Sequence, residues 1–384
     1  MDAIYQLIHD YCPTMPDWLA LALAILLPIA IVMGVFLTVF ALLTWVERKA
    51  LGRIQNRRGP NRVGPVGLFQ PIADGLKLLT KEDIVPNAAD KVVHFLAPVL
   101  VVVPAFMVLA VVPVAKGFIA VDLNIGVLFA LAVSTASVLA LFMAGWASHN
   151  KFSLLGAMRG VAQVVSYEVP MVLAAVVVLM ASGSLSSVSI VEAQRGLTGW
   201  FVCKPWGLVG FVIFQLCAMA EVARTPFDLP EAESEIVAGY HTEYSGFKFA
   251  LFQMGEYVAA ITMGGITVTM FLGGYLGPGC DLPKFGWLIS ACWFFAKLGI
   301  IVVINIWARG TWPRVRVDQL LGFAWKLLLP LSLVNIVAMA VWHFAPNKLV
   351  GWVESAVLLA VAIVALVKIN AGQTFEKRSY RFTS

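Results

Sequence analysis

Charged residues are scarce in this sequence of 384 residues. Asp, Glu, Lys and Arg make up only 13% of the chain, whereas 60% of its residues are hydrophobic and its mean hydropathy is +0.87. A water-soluble domain of this composition would expose large apolar patches, so the soluble class of proteins is excluded. We therefore predict a polytopic membrane protein.

Residues typical of metal and redox sites are also few. The five cysteines are scattered without a C-x-x-C pair, and the five histidines are dispersed, so neither a disulfide framework nor a metal or iron–sulfur site is indicated. The glycine-rich stretch 273–279 (GGYLGPG) follows no strand and is typical of a turn rather than of a nucleotide site. We expect no metal or cofactor in this chain and no nucleic-acid partner, with any redox cofactor held by partner proteins.

Long apolar runs dominate the sequence. Runs of about 20 apolar residues cross a hydrocarbon core, and their continuous character favours helices over the alternating strands of a barrel. We predict an all-α fold with about nine transmembrane helices in a single integral membrane domain, 1–384. The first run has no small-residue cleavage site after it, which favours an anchor over a signal peptide. The runs are 18–46, 92–113, 124–147, 155–182, 206–223, 245–273, 285–307, 319–343 and 350–369.

Basic residues between the runs predict the orientation. The connection 47–91 carries nine Lys and Arg residues, and the stretch before the first run carries none. Because basic residues favour the cytoplasmic side, we expect the N-terminus outside and the stretch after 370 in the cytoplasm. The connections 148–154, 224–244 and 308–318 then lie on the cytoplasmic side as well.

The basic connection 47–91 contains a second kind of helix. Its apolar residues from Leu68 to Leu79 recur at three- and four-residue intervals, whereas Asp74 and Lys77 occupy the polar side. This pattern predicts an amphipathic helix that lies in the membrane interface. Two interpretations stay open for the arginines before it, attraction to anionic lipid or docking to an acidic partner: Arg57, Arg58 and Arg62.

Ionisable residues interrupt several of the apolar runs. Each costs a few kcal/mol at membrane depth and is therefore a functional hypothesis. Glu168, Glu221 and Glu256 suggest a proton relay, since carboxyl groups within reach of one another can take up and release protons. The alternatives are structural: Glu256 pairs with Lys297, or Lys326 extends to the interface.

Negative charge is concentrated in the connection 224–244. Asp228, Glu231, Glu233, Glu235 and Glu243 lie within it, and only Arg224 balances them. The spacing of Asp228 and Glu231 resembles a capping box at a helix start. That interpretation leaves Glu243 and Glu235, which lies one turn beyond Glu231 on the same face. Like charges at that spacing repel, and such repulsion is tolerated where protons, water or a basic partner are present.

Four stretches carry a family resemblance: ERKALGRIQNRRGPNRVGPVGLFQPIADGLKLLTKE, VSYEVP, AEVARTPFDLPEAESEIVAGYHTEYSGFKFALFQMGEYV and RGTWPRVRVDQLLGFAWKLLLPLSL. In this order and spacing, over about 18–343, they resemble the membrane subunit of proton-pumping NADH:quinone oxidoreductase, respiratory complex I, that joins the membrane arm to the hydrophilic arm. The ninth run, 350–369, departs from the eight-span pattern common in the family and is similar to some bacterial members.

The resemblance implies a function that composition alone does not. Such a subunit walls a quinone chamber and couples quinone reduction to proton translocation. The resemblance implies quinone as substrate, FMN and iron–sulfur clusters in partner subunits, and a bacterial cytoplasmic (inner) membrane. The expected partners are the quinone-site subunits of the hydrophilic arm, small membrane subunits of the antiporter arm, and lipid.

The resemblance also assigns residues to three roles by their position in the matching stretches. Proton relay and coupling fall to Glu168, Glu221, Asp228, Glu231, Glu233, Glu235 and Glu256. The chamber and its entrance fall to Trp45, Arg48, Arg53, Phe69, Asp74, Arg224, Phe249 and Tyr257. Partner docking falls to Arg57, Arg58, Arg62, Glu243, Arg314 and Arg316.

Three other classes of protein are weighed against this one. A related membrane-bound hydrogenase subunit would share the fold, but GPNRVGP and EAESEIVAGYHTEYSG favour the quinone-reducing branch. A freestanding ion transporter would show inverted repeats with broken helices, and no convincing repeat is visible. A purely structural scaffold would not need Glu168, Glu221 and Glu256 in its spans.

Overall fold

The computed structural model describes residues 16–196, 199–231, 233–280, 282 and 285–371. This part of the chain is helical and contains no β-strand. Within it, seven helices are long and apolar enough to cross a membrane. The predicted all-α polytopic fold is therefore confirmed.

The helices follow the predicted runs closely. Their bounds are α1 (Asp17–Ile54), α2 (Gln70–Thr80), α3 (Lys91–Leu109), α4 (Gly126–Ser134), α5 (Ala136–Ala147), α6 (Lys151–Ser182), α7 (Ser187–Glu192), α8 (Pro205–Glu221), α9 (Glu233–Ile236), α10 (Gly246–Phe271), α11 (Gly286–Thr311), α12 (Val317–Phe323), α13 (Leu329–Phe344) and α14 (Lys348–Ala371).

Two of the nine predicted runs form helices that are not among the seven long membrane-spanning helices. The first forms α1, which continues for 38 residues as far as Ile54, and the fifth forms α8, an apolar helix of only 17 residues. The exact count of nine therefore stays a prediction.

The predicted run 124–147 is not one uninterrupted helix. It divides at Thr135 into α4 and α5. The hydroxyl groups of Ser134 and Thr135 both donate to the carbonyl of Leu131, at 2.9 and 3.0 Å. Hydroxyl groups that bond to the preceding turn compete with the backbone amides and disturb a helix locally.

The last predicted run before α14 contains a second irregularity. A single π-helical segment, Ala324–Leu328, lies between α12 and α13. Pro330 follows it, and proline has no amide hydrogen to donate to the preceding turn. Lys326 lies in this segment and is exposed, so its extension to the interface stays a prediction.

The chain divides into two compact units after Thr80. In the first unit, α2 has no buried residue, and its apolar side chains Ile72, Leu76 and Leu79 are each more than half exposed. This is the amphipathic helix that the sequence predicts, with bounds shifted by one or two residues. Its apolar face is available to a membrane surface.

The second unit is a bundle built around α6 and α10. Helix α6 packs against α5, α8 and α13, and α10 packs against α3, α8 and α11. Small side chains let these helices approach closely: Ala140, Ala144 and Ala157 are fully buried in one cluster. Helix α14 packs on α13 and α8.

Candidate functional site

The acidic loop, residues 224–244, is fastened to one face of α6 by side chains of that helix. The buried amide of Gln163 donates to the carbonyls of Ala220 and Phe227, both at 2.6 Å. Nearer the start of α6, the Ser153 hydroxyl donates to the carbonyl of Tyr240 at 2.7 Å. These bonds hold the end of α8 and both ends of the loop against α6.

Between these bonds the loop backbone lies directly on α6. A Cβ at Gly156 would stand 2.8 Å from the Cα of Gly239, and a Cβ at Gly160 would stand 2.9 Å from the ring of Pro230. Gly239 itself has φ of +60°, in the left-handed region that favours glycine. Glycines on α6 thus permit a close approach that larger residues would prevent.

A cavity of about 60 Å³ opens beside this loop, between α3, α4, α5, α8 and α10. Two predicted relay residues, Glu221 and Glu256, line it together with Tyr240 and Ser134. The Tyr240 hydroxyl donates to the Glu256 carboxylate at 3.0 Å. The cavity has room for water molecules next to both carboxylates.

A second, narrow cleft adjoins the first at Glu221. Glu168 and Thr135 also line it, and the Thr135 hydroxyl donates to the Glu168 carboxylate. The cleft is too narrow to hold a water molecule. Glu221 therefore shares one space with Glu256 and another with Glu168, and its Oε2 atom is buried with no hydrogen-bond partner among the described residues.

Asp228 is fixed by a residue far away in the sequence. Its carboxylate accepts a hydrogen bond from Arg314 at 2.7 Å. Burial, together with the neighbouring Glu231, raises the pKa of Asp228 to about 6 although Arg314 favours the ionised form. The predicted capping box is wrong: the described helix in this loop begins at Glu233, and the Asp228 side chain is engaged by Arg314 instead.

The other acids of the loop have different surroundings. The Glu231 carboxylate lies 3.6 Å from Nδ1 of His241, and the exposed Glu235 accepts a hydrogen bond from Arg159 at 2.5 Å. The backbone of Glu233 begins α9, but its side chain lies outside the described residues. Glu235 is therefore paired with a base, whereas Glu231 lies beside His241 and the Glu256 carboxyl group.

The predicted chamber residues of the second unit lie around the start of α10. The guanidinium of Arg224 stacks on the ring of Tyr257 at 3.9 Å, and Phe249 packs against His241 with ring centroids 5.2 Å apart. Burial and the Glu256 carboxylate raise the pKa of the Tyr240 hydroxyl well above its ordinary value. Tyr240 therefore stays a hydrogen-bond donor at neutral pH.

The predicted entrance residues of the first unit form contacts among themselves. Arg48 donates to Asp74 at 2.5 Å, and the Trp45 indole donates to the carbonyl of Val66 at 3.3 Å. Burial opposes ionisation of Asp74, but Arg48, Gln70 and Lys77 together hold the pKa of that carboxyl below its ordinary value. Arg53 and Phe69 are exposed.

The residues predicted to dock partners are partly engaged within the chain. Arg57 donates to Gln55 at 2.7 Å, and Glu243 accepts from Asn150 at 2.6 Å. Their docking role stays a prediction. Arg314 pairs with Asp228, whereas the other predicted docking residues are exposed: Arg58, Arg62 and Arg316.

The predicted pairing of Glu256 with Lys297 is wrong. The ammonium of Lys297 donates to the carbonyls of Leu272, Gly274 and Leu276, at 2.7, 2.9 and 2.6 Å. These carbonyls lie just beyond the end of α10, where a positive charge is favoured by the helix dipole. Glu256 lies in the first half of the same helix, about four turns before that end.

The sequence analysis missed several residues of this region. Ser134 and Thr135 lie in an apolar run, and their small hydroxyl groups drew no attention beside Glu168. Gln163, the only amide side chain in α6, was a signal that could have been used. Among the described residues, no group of three or more His, Cys, Asp or Glu side chains is placed to hold a metal.

A polytopic helical protein with carboxylates from several spans around internal cavities belongs to the class of membrane proteins that handle protons or ions. The NADH dehydrogenase family model matches residues 27–340. An NADH-quinone oxidoreductase subunit of Dehalococcoides mccartyi strain CBDB1 is 48% identical, over 89% of this chain and 92% of that protein. Its counterpart in Geobacillus kaustophilus strain HTA426 is 46% identical, over 88% of this chain and 100% of that protein.

The chain belongs to this family of NADH-quinone oxidoreductase membrane subunits. The resemblance drawn from the four sequence stretches is thereby confirmed. The expected enzyme class, a subunit of a proton-translocating NADH:quinone oxidoreductase, is confirmed with it.

Proposed function

We propose that this chain walls a quinone chamber at the junction of the membrane and hydrophilic arms of complex I. In this proposal it couples quinone reduction to proton translocation through the carboxylates of its spans. Family membership supports the coarser part, a membrane subunit of NADH-quinone oxidoreductase. The chamber and the coupling are supported by the geometry of the second unit.

The observation that carries the proposal is the position of Glu221 between two spaces. It faces Glu256 across a cavity with room for water and faces Glu168 in a cleft without it. Three carboxylates on α6, α8 and α10 thus form a continuous series. The hydrogen-bond donors of two of them are hydroxyl groups: Tyr240 donates to Glu256 and Thr135 donates to Glu168.

The acidic loop supplies the link to quinone chemistry. Reduction of a quinone to a quinol takes up two protons, so carboxylates beside a chamber respond by changing their own protonation. Asp228, whose pKa of about 6 lies close to neutral pH, is suited to this response, and Glu231, Glu233 and Glu235 share its loop. The hydrogen bonds from α6 to the loop tie such changes to the spans.

The proposal includes partners and orientation. The loop and the basic residues Arg57, Arg58, Arg62 and Arg316 face quinone-site subunits of the hydrophilic arm, which with their neighbours hold FMN and iron–sulfur clusters. Small membrane subunits of the antiporter arm continue the proton path. The chain spans the bacterial cytoplasmic membrane with its N-terminus outside, and quinone enters from the lipid.

The first experiment is to tag the chain in its native membrane, extract it gently and assay what accompanies it. NADH:quinone reductase activity and bound flavin are expected in the same large assembly. Hydrogenase activity in that assembly, or isolation of the chain alone, would sink the quinone function.

The second experiment tests coupling in liposomes that contain the purified complex. With Glu221→Gln we expect proton translocation to fall by at least about tenfold, because a positioned proton carrier is lost. NADH oxidation and a pH-sensitive dye report the two activities. Glu354→Gln, the same change at an exposed position of α14, is the matched control and should leave both activities unchanged.

A further inference from the structure

We infer that the adjacent hydroxyl groups of Ser134 and Thr135 carry protons between Glu168 and Glu221. The inference rests on the proposed coupling function and assigns one of its steps to two residues. Ser134 ends α4 and Thr135 separates it from α5, so the irregularity in this span has a functional counterpart.

The first argument is the lack of space for water. Protons pass between buried groups through water or through side chains that both donate and accept hydrogen bonds. The cavity of Glu221 and Glu256 has room for water, whereas the cleft of Glu168 and Glu221 does not. Transfer across the cleft therefore depends on side chains, and a hydroxyl group both donates and accepts.

The second argument is the position of the two hydroxyl groups. Thr135 lines the cleft and donates to Glu168, whereas Ser134 lines the larger cavity and lies within hydrogen-bonding reach of Glu221. Both hydroxyl groups belong to adjacent residues and donate to the same carbonyl oxygen, that of Leu131, at 2.9 and 3.0 Å. Thr135 thus lies at the space that Glu168 shares with Glu221, and Ser134 lies at the space that Glu221 shares with Glu256.

The transfer is balanced at each step. The carboxyl proton of Glu168 moves to Oγ1 of Thr135 as the hydroxyl hydrogen of Thr135 moves to Oγ of Ser134. In the same concerted shift the hydroxyl hydrogen of Ser134 moves to the Glu221 carboxylate, so no hydroxyl oxygen carries an extra proton. Each hydroxyl group gains one hydrogen and loses one. Both hydroxyl groups donate to the Leu131 carbonyl in the structure, so the transfer requires that they turn away from it.

The test uses the whole complex in liposomes, with Thr135→Val, Ser134→Ala and Thr135→Ser. Valine has the shape of threonine without its hydroxyl, so we expect proton translocation to fall roughly tenfold in Thr135→Val, with a smaller loss in Ser134→Ala. Thr135→Ser keeps the hydroxyl and should retain most of the activity. The KM for quinone should stay unchanged, and the solvent deuterium isotope effect on coupled turnover should rise in Thr135→Val.

The matched control is Thr267→Val. Thr267 is fully buried in α10 and donates to the carbonyl four residues earlier, as Thr135 does, but it lines neither space. Equal activity in Thr135→Val and Thr267→Val would overturn the inference. A loss in Cys217→Ala without a loss in Thr135→Val would also overturn it, because the thiol of Cys217 lines the same cleft.

Measurement of Glu221→Gln in parallel distinguishes failure of the hydroxyl path from failure of the proposed coupling function. If Glu221→Gln loses translocation while both hydroxyl variants keep it, coupling through carboxylates stands and the hydroxyl path is wrong. If Glu221→Gln and Glu168→Gln both keep translocation, the proposed coupling function itself fails.

Discussion

Two regions along α10 treat buried polar groups in opposite ways. Just beyond Phe271, the three hydrogens of the Lys297 ammonium meet three carbonyls. Around Glu256, in the first half of the helix, the Glu221, Asp228 and Glu231 carboxylates each have one buried oxygen without a hydrogen-bond partner among the described residues. A complete set of partners stabilises one geometry, whereas an incomplete set leaves carboxylates able to bind a proton.

Gln194 adds further hydrogen bonds near Lys297. We call Lys297, Gln194 and the backbone 272–276 together the Lys297 end of α10. Its amide donates to the carbonyls of Ile190 and Thr269 and accepts from the amides of Phe201 and Gly273. The indole of Trp200 covers the Lys297 ammonium at 4.2 Å. A charge in a span is therefore not by itself a sign of function. Lys297 has a hydrogen-bond partner for each of its hydrogens, whereas, in the part of the chain that the structure describes, the carboxylates around Glu256 do not have one for each oxygen.

The largest expected effect comes from removing the three hydrogen bonds of the Lys297 ammonium. Lys297→Met leaves three carbonyls without their donor, at about 1–3 kcal/mol for each buried group. We expect the buried thiol of Cys280, beside this backbone, to react with a maleimide at least about tenfold faster, since local opening becomes more frequent. Mass spectrometry of Cys280 measures this. Lys368→Met, at an exposed lysine of α14, should change nothing; an equal rate in both variants would contradict the comparison.

A smaller effect is expected where α6 holds the acidic loop. Gln163→Met removes two hydrogen bonds and leaves the carbonyls of Ala220 and Phe227 unpaired. We expect a protease that cleaves after glutamate to cut the loop roughly tenfold faster in the folded complex. The exposed Gln319 provides the control, Gln319→Met. An unchanged cleavage rate in Gln163→Met would mean that the loop is held by other contacts.

The smallest expected effect is a pH dependence of the stability of the complex that arises from Asp228 in the acidic loop. The pKa of Asp228 rises from 3.8 to about 6 on folding, so its protonated form favours the folded state. That contribution is complete below 3.8 and disappears as the pH rises through about 6. Asp228→Asn stays neutral and keeps its acceptor for Arg314. The unfolding temperature of the unmodified complex should therefore decline relative to Asp228→Asn across this window; a difference that is constant with pH, or that has the opposite sign, would refute it.

Hydropathy predicted most of the fold and little of the site geometry. Apolar runs place helices along the chain because each must cover its own length of hydrocarbon, but they contain no information on rotation about the helix axis. The predicted pair of Glu256 and Lys297 rested on charge alone, although Lys297 bonds to the backbone beyond the end of α10 and Glu256 lies about four turns before that end. The division at Thr135 was invisible because two hydroxyl groups barely change the hydropathy of the run.

The acidic loop shows the same limit at short range. Asp228 and Glu231 have the spacing of a capping box, yet Arg314, remote in the sequence, bonds to Asp228. Local patterns are overruled when a stronger partner arrives through the tertiary fold. By contrast, Glu168, Glu221 and Glu256 stand out in the sequence because a charge in an apolar run is costly, and in the structure they line two adjoining spaces. Their function stays a prediction.

The contact between Gly156 and Gly239 limits how the acidic loop can move. Backbone already lies against backbone there, so the loop has no travel left toward α6. Its remaining freedom is to slide along that helix or to lift away from it. A force on the loop would therefore be transmitted to α6 as a displacement along the helix axis. It would not compress the contact between the loop and the helix.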